Sequence, residues 1–197
     1  MRAESLSLDQ NGGRRITPKK FSHTVIRTTR LQEMVEWYQT VLNAEIVREF
    51  PHAVFMTYDE EHHRLAFVSI PGLVERPKMS AGHDHLAYTY ESLGDLVATY
   101  ERLKAAGITP SVPVAHGLTT SLYYRDPDGG GVELTIDNLA PSEWRDWMQN
   151  QLALELVTFD PEEMVRKYHA GVPDAGIRFE SARTFDPAEA FRRMVES

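Results

Sequence analysis

Cysteine is absent from the 197 residues, which removes disulfides, thiolate metal sites and cysteine nucleophiles in one step. Any metal in this protein must therefore rest on histidine, carboxylate and water. Positive charge is also short: 21 Lys and Arg stand against 29 Asp and Glu, a formal charge of −8. Broad contact with a phosphate backbone needs clustered cations, so no nucleic-acid partner is expected, and the small basic group Arg14, Arg15, Lys19 and Lys20 reads as an exposed tail. No apolar run is long enough to span a bilayer, and the opening MRAESLSLDQNGGRR has neither the apolar core nor the cleavage site of a secretory signal. The expectation is a soluble, cytoplasmic protein with no membrane partner, in which residues 1–18 form a flexible lead-in. What is present is ordinary for a globular chain: 42% hydrophobic and 25% charged, enough for one large domain or two small halves sharing a core.

Two halves are what the pattern shows. A shift of 62 positions lays His23 on His85, Leu31 on Leu93, Met34 on Leu96, Val35 on Val97, Tyr38 on Tyr100 and Val41 on Leu103. In each half these apolar positions recur at three-to-four spacing, one buried helix face. The stretch SHTVIRT leads into the first helix, and AEIVREF, AVFMTYD and HRLAFVSI follow it as strand candidates. In the second half HLAYTY leads in, and TPSVPVA, TSLYYRD and GGVELTI follow, separated by Gly, Pro and Asp turn signals. The order is βαβββ twice, with PGLVERPKMSAG as linker. This predicts an α+β fold in which two paired βαβββ units (19–70 and 82–138, one domain over 19–138) curl a mixed sheet around a cavity.

Beyond about residue 140 the periodicity changes, and 139–197 reads as a helical extension. PSEWRDWMQNQL suggests a helix capped by Ser142, with Trp144 and Trp147 sharing a packing face. FDPEEM and FDPAEAF, beginning at Phe159 and Phe185, repeat one start signal: an Asp cap, Pro at the first helical position and Glu three after the cap. Helices of this kind pack outside the sheets or across a subunit contact, which suits a homo-oligomer.

Strand parity gives His23 and His85 equivalent inward positions at the heads of the two units. Glu133 sits between Val132 and Leu134, and a carboxylate in an apolar strand is costly unless it is paired or bound to a cation. Read singly, each histidine is better taken as a surface or satisfied core residue, and Glu133 as the partner of a buried arginine. Read together, two His and one carboxylate with no thiolate form the facial set suited to non-haem Fe(II), with positions left open.

The chain resembles the vicinal oxygen chelate superfamily, and within it the type I extradiol catechol dioxygenases, including small enzymes that act on 2,3-dihydroxybiphenyl. The resemblance runs from Phe21 to about Asn138 and rests on FSHTVIRT, DEEHHRLAF, HDHLAY, AHGLTTSLYYRDPDG and VEL. It implies that His23, His85 and Glu133 are iron ligands, with Mn(II) as the other metal such a set accepts. It implies further that His63 faces O₂ as acid and base, that His116 hydrogen-bonds a catechol oxygen, and that Tyr123 stands beside that oxygen. Tyr124 is adjacent, and a slip of one residue would reverse the face. From the residues alone, His62 and His63 after YDEE also read as a solvated turn, His116 as a loop residue, His83 as lining the cavity mouth, and His52 and His169 as surface.

The implied substrates are a catechol-type diol and O₂, and the implied reaction is ring cleavage beside the paired hydroxyls with both oxygen atoms inserted. Two other readings share the fold. A glyoxalase-like isomerase takes one histidine and one carboxylate from each unit, but RLAFVSIP has no acid between Leu65 and Pro71. A metal-free module that sequesters an aromatic ligand would use the histidines only as hydrogen-bond donors.

Overall fold

The computed structural model describes residues 16–77, 80–150, 156–174 and 177. The lead-in through Arg15 and the FDPAEAF helix start lie outside them. The first unit runs β1 (Thr24–Arg27), α1 (Leu31–Leu42), β2 (Glu45–Phe50), β3 (Ala53–Thr57) and β4 (Leu65–Val68); the second runs β5 (His85–Thr89), α2 (Leu93–Ala105), β6 (Val112–Ala115), β7 (Thr119–Arg125) and β8 (Gly131–Asp137). Each is the βαβββ order that the periodicity predicts. Within each unit the first strand lies at the sheet edge, parallel to the last, giving β1-β4-β3-β2 and β5-β8-β7-β6.

The α+β expectation holds, with one difference in how the sheets meet. Each unit keeps its own open mixed sheet, and no ladder joins β1 to β5 among the described residues. The apolar stripes explain what holds the units together instead. Met34, Val35, Tyr38 and Val41 of α1 and Leu93, Leu96, Val97, Tyr100 and Leu103 of α2 are buried in one cluster with Phe67, Leu122, Tyr124, Val132 and Leu134. The helices thus fuse the two halves through a common core. At their seam the buried Tyr38 hydroxyl donates to Asp126 Oδ2 at 3.1 Å. Arg102 donates to the carbonyls of Thr40 and Val41 near the C-terminal end of α1, where helix carbonyls lack partners.

Local chemistry sets the helix ends. Ser92 Oγ accepts from the Asp95 amide at 3.1 Å to start α2, and Asn43, in the left-handed region at φ 51°, ends α1. After β8 the chain forms α3 (Trp144–Asn150), β9 (Val157–Thr158) and α4 (Pro161–His169). The first FDP signal reads true: Asp160 caps α4 by accepting from the Glu162 amide at 2.9 Å, and Pro161 follows. Ser142 is not seen capping α3; Glu143 instead reaches back to the Ala140 amide at 2.9 Å. The extension does two jobs. Strand β9 adds to β6 as a fifth strand and brings Leu156 onto Val112, Val114 and Tyr123, while α4 inserts Met164, 0% exposed, into the common core.

Removing the Tyr38 hydroxyl with Tyr38→Phe leaves the buried Asp126 carboxylate short of a donor, so stability should fall by about 1.5–3 kcal/mol. Urea unfolding measures it; an unchanged midpoint would mean that this contact does not hold the seam.

Candidate active site

Register decides which side chains share a face. In the second sheet Ala87 pairs with Glu133 and Tyr123 pairs with Glu133, so these positions, with His85 two residues before Ala87, lie on the face away from the helices. Tyr124 pairs with Val132 and points into the common core. His85 Nε2 lies 3.0 Å from Glu133 Oε2, and His85 Nδ1 lies 2.7 Å from Asp84 Oδ2. The Tyr123 ring stands edge-on to His85 with centroids 5.3 Å apart, and its hydroxyl lies 3.0 Å from His116 Nε2. The second unit thus assembles His85, Glu133, Tyr123 and His116 as one connected group.

The electrostatics follow from burial and contact. The Glu133 contact, opposed by burial and helped by Asp84, lifts the His85 imidazolium to about 9. Burial alone would raise the Glu133 carboxyl, but His85, Ser121 and Tyr123 outweigh it and hold it below its usual range. Tyr123 is pushed well up by burial and then by the Glu133 charge, so it remains a phenol and a donor. A Cβ on Gly131 would lie 2.6 Å from the Asp84 carbonyl oxygen and 2.7 Å from His85 Cβ. Only glycine lets β8 come this close to the head of β5.

The first sheet carries a second group. His23 lies one residue before β1, exposed, its lead-in pinned by Arg64 donating to the Phe21 and Ser22 carbonyls at 2.6 and 3.1 Å. Its ring centroid is 4.4 Å from that of His63, which stands edge-on to Phe55 at 5.1 Å. The turn that presents His63 is built rather than loose: Asp59 binds Arg64 Nε at 2.9 Å and the Glu61 amide at 3.1 Å, and His62 Nδ1 lies 2.6 Å from His63 Nδ1. Burial, then the charges of His23 and His62, lower the His63 pKa below its ordinary value, leaving the ring neutral at neutral pH.

The structure therefore gathers the six predicted residues into two groups, His23 with His63 and His85 with Glu133, Tyr123 and His116. No three His, Asp or Glu side chains among the described residues come close enough to hold one ion. Register also identifies what the first sheet lacks. Val25 pairs with Ala66 as Ala87 pairs with Glu133, so Ala66 takes the place of the carboxylate and the two units offer three potential ligands, not four. A cavity of about 700 Å³ runs along β1 between the units, lined by Arg27, Arg76, His83, Asp84 and Asp126, but by none of the six. His83 does line a cavity, although a different one from that expected.

Sequence reasoning passed over Asp84. The acid is visible between the two histidines of HDH, but alternation sends neighbours to opposite faces; residue 84 precedes β5, so the rule does not bind it. Its oxygen on Nδ1 leaves Nε2 turned to Glu133, the arrangement by which an outer carboxylate orients a ligating imidazole.

The profile of the Glyoxalase/Bleomycin resistance protein/Dioxygenase superfamily matches residues 20–134. Biphenyl-2,3-diol 1,2-dioxygenase 3 of Rhodococcus globerulus is 46% identical over 169 residues, covering 81% of this chain and 87% of that one. Biphenyl-2,3-diol 1,2-dioxygenase 2 of the same organism is 47% identical over 165 residues, covering 80% and 85%. A crystal structure of a glyoxalase/bleomycin resistance protein/dioxygenase from Nocardioides aligns with a TM-score of 0.51 at 22% identity, covering 64% of this chain and 90% of the other, a likeness of fold.

Because the Glu133 anion favours the charged form of His85, Glu133→Gln should bring the His85 pKa down from about 9 toward its ordinary 6.5 in metal-free protein. An NMR titration of the imidazole protons reads this directly, and an unmoved titration would show that the pair is not in contact.

Proposed function

The chain belongs to the glyoxalase/bleomycin resistance protein/dioxygenase superfamily, and on that premise we propose that it is an extradiol dioxygenase that opens the ring of a 2,3-dihydroxybiphenyl-like catechol with both atoms of O₂. The likeness to the two Rhodococcus enzymes over four fifths of the chain carries this reading. Ligand count favours it over an isomerase, because Ala66 stands where a fourth ligand would be.

The donor set fits a divalent metal. Glu133 is 7% exposed in an apolar strand, and its one close cationic partner is an imidazole whose Nε2 lies 3.0 Å away. Two such donors can share one ion, and an oxygen–nitrogen set without thiolate suits Fe(II), with Mn(II) next. His85 and Glu133 would hold it, and His23 on the first sheet is the third ligand that the resemblance implies. When bound, the ion supplies a Lewis-acidic and redox-active centre that favours the ionised catechol.

The protein's own groups handle position and protons. Tyr123, kept protonated by burial, donates toward a substrate hydroxyl oxygen, and His116, 3.0 Å from its hydroxyl, holds the proton that leaves that oxygen and returns it after ring opening. His63 is neutral at rest, so it can take a proton and deliver it to the departing oxygen on the O₂ side. Phe55, edge-on to His63, walls the ring on that side. No external reductant is needed, since the ring supplies the electrons.

Anaerobic reconstitution with Fe(II), followed by an oxygen electrode and absorbance over a panel of catechols, should show O₂ uptake with a yellow ring-opened product. Metal without O₂ uptake would point to an isomerase, and ligand binding without metal to a sequestering module. His63→Phe should keep the iron and slow turnover by about 10²–10⁴; undiminished cleavage would remove His63 from the reaction. His85→Ala should lose the iron, and full metal content in that variant would overturn the ligand set.

A further inference from the structure

Three carboxylates are buried among the described residues: Glu61, Asp126 and Glu133. Asp126 accepts from Tyr38 and from the turn amides of Asp128 and Gly130, and Glu133 answers His85. Glu61 is left, 8% exposed, in the turn that presents His63. We propose that Glu61 and His62 are positioning residues for His63: the Glu61 carboxylate keeps a proton on His62 Nε2, His62 Nδ1 accepts from His63 Nδ1–H, and His63 Nε2 is left bare as the base. What that base does rests on the extradiol reading; which nitrogen it is rests on the geometry of the turn.

His62 Nδ1 and His63 Nδ1 lie 2.6 Å apart, a separation with room for one proton between them and not for two. One of these nitrogens therefore donates and the other accepts, and the far side of the His62 ring decides which. Its Nε2 lies 3.2 Å from Glu61 Oε1, and an ionised carboxylate only accepts, so the proton is favoured on Nε2. Glu61 needs no second proton on His62 to balance its charge, because Lys20 Nζ contacts its Oε2 and Arg64 Nη1 lies 4.0 Å from the same oxygen. A neutral His62 protonated on Nε2 offers its Nδ1 lone pair, and His63 Nδ1–H fills it. The neutral His63 ring then carries its own lone pair on Nε2, opposite His62. The frame is fixed. The Glu61 amide donates to Asp59 Oδ1 at 3.1 Å, Arg64 Nε donates to Asp59 Oδ2 at 2.9 Å, and the Arg64 amide donates to the Met56 carbonyl at 2.9 Å. His62 thus stands to His63 as Asp84 stands to His85, an outer acceptor on Nδ1 that turns Nε2 to its task. One proton moves in the reaction, onto His63 Nε2 and off again to the departing oxygen. The Nδ1 proton stays in place, and the His62–Glu61 pair stabilises the imidazolium between the two transfers.

The tautomer can be read without turnover. In isotope-labelled metal-free protein, at a pH where His63 is uncharged, long-range proton–nitrogen correlation NMR shows which ring nitrogen carries the proton, and His63→Phe assigns the signal by its loss. The wild type should show His63 protonated on Nδ1, and His62→Ala should move that proton to Nε2. A wild-type ring protonated on Nε2, or a tautomer unmoved in His62→Ala, would overturn the proposal. Glu61→Gln removes the charge and keeps the shape, so it should bring in the Nε2–H form of His63; an unchanged spectrum would overturn the part assigned to Glu61. In iron-loaded enzyme, His62→Ala should lower kcat by about 10–100-fold with iron content and catechol KM unchanged. His62→Asn, whose Oδ1 replaces the accepting nitrogen, should restore most of that loss. A residue that merely shaped the turn would not separate the two variants, so equal losses in both, or undiminished kcat in His62→Ala, would count against the assignment. Wild-type protein that turns over no catechol would defeat the extradiol reading alone and leave the tautomer to decide what Glu61 and His62 do.

Discussion

A carboxylate held in an apolar strand must be answered by positive charge, and Glu133 is the group on which the site depends. Desolvation disfavours its anion, so something must stabilise it in place. His85 does so at 3.0 Å, itself steered by Asp84 from the other side of the ring. Gly131 permits the close approach of β5 and β8 that makes the contact possible. In the proposed metal site the same pair would receive the divalent cation, since removing the imidazole proton would turn an ion pair into two donors facing one point.

Around that pair the fold separates work by face. On the helix side of both sheets, leucine, valine and aromatic side chains build one core that fixes the units against each other. On the opposite side lie the imidazoles, the phenol and the carboxylate. Because side chains alternate along a strand, Tyr123 and Tyr124 are divided between these two roles by a single residue of register. Burial keeps Tyr123 a phenol and, with the charges of His23 and His62, lowers the His63 pKa, so the protonation of both groups is set by environment rather than by residue type alone.

The duplication leaves a trace of specialisation. Both units keep a histidine at the head of the edge strand, yet Ala66 in the first corresponds in register to Glu133 in the second. The first unit has instead gained the His62–His63 turn, braced by Asp59 and Arg64, and the second has gained the strand β9 and the cover of Leu156. Two units of one βαβββ order thus carry different side chains on their outer faces.

The periodicities of 3.6 and 2 were legible in the sequence because they arise from helix and strand geometry within a few residues of chain, and they located all eight strands and both helices of the two units. The equivalence of His23 and His85, the oddity of Glu133 among apolar neighbours and the FDP cap of α4 were legible for the same reason. The face of Tyr123, the bracing of His85 by Asp84 and the need for Gly131 were not, because each depends on which residue of a distant strand lies opposite. Nor did pattern alone reveal that the units join through their helices and keep separate sheets. The 62-residue repeat determined what each half contains; the packing of α1 on α2 decided where the halves stand, since burial of two apolar stripes against each other is a property of the assembled core and of no local segment.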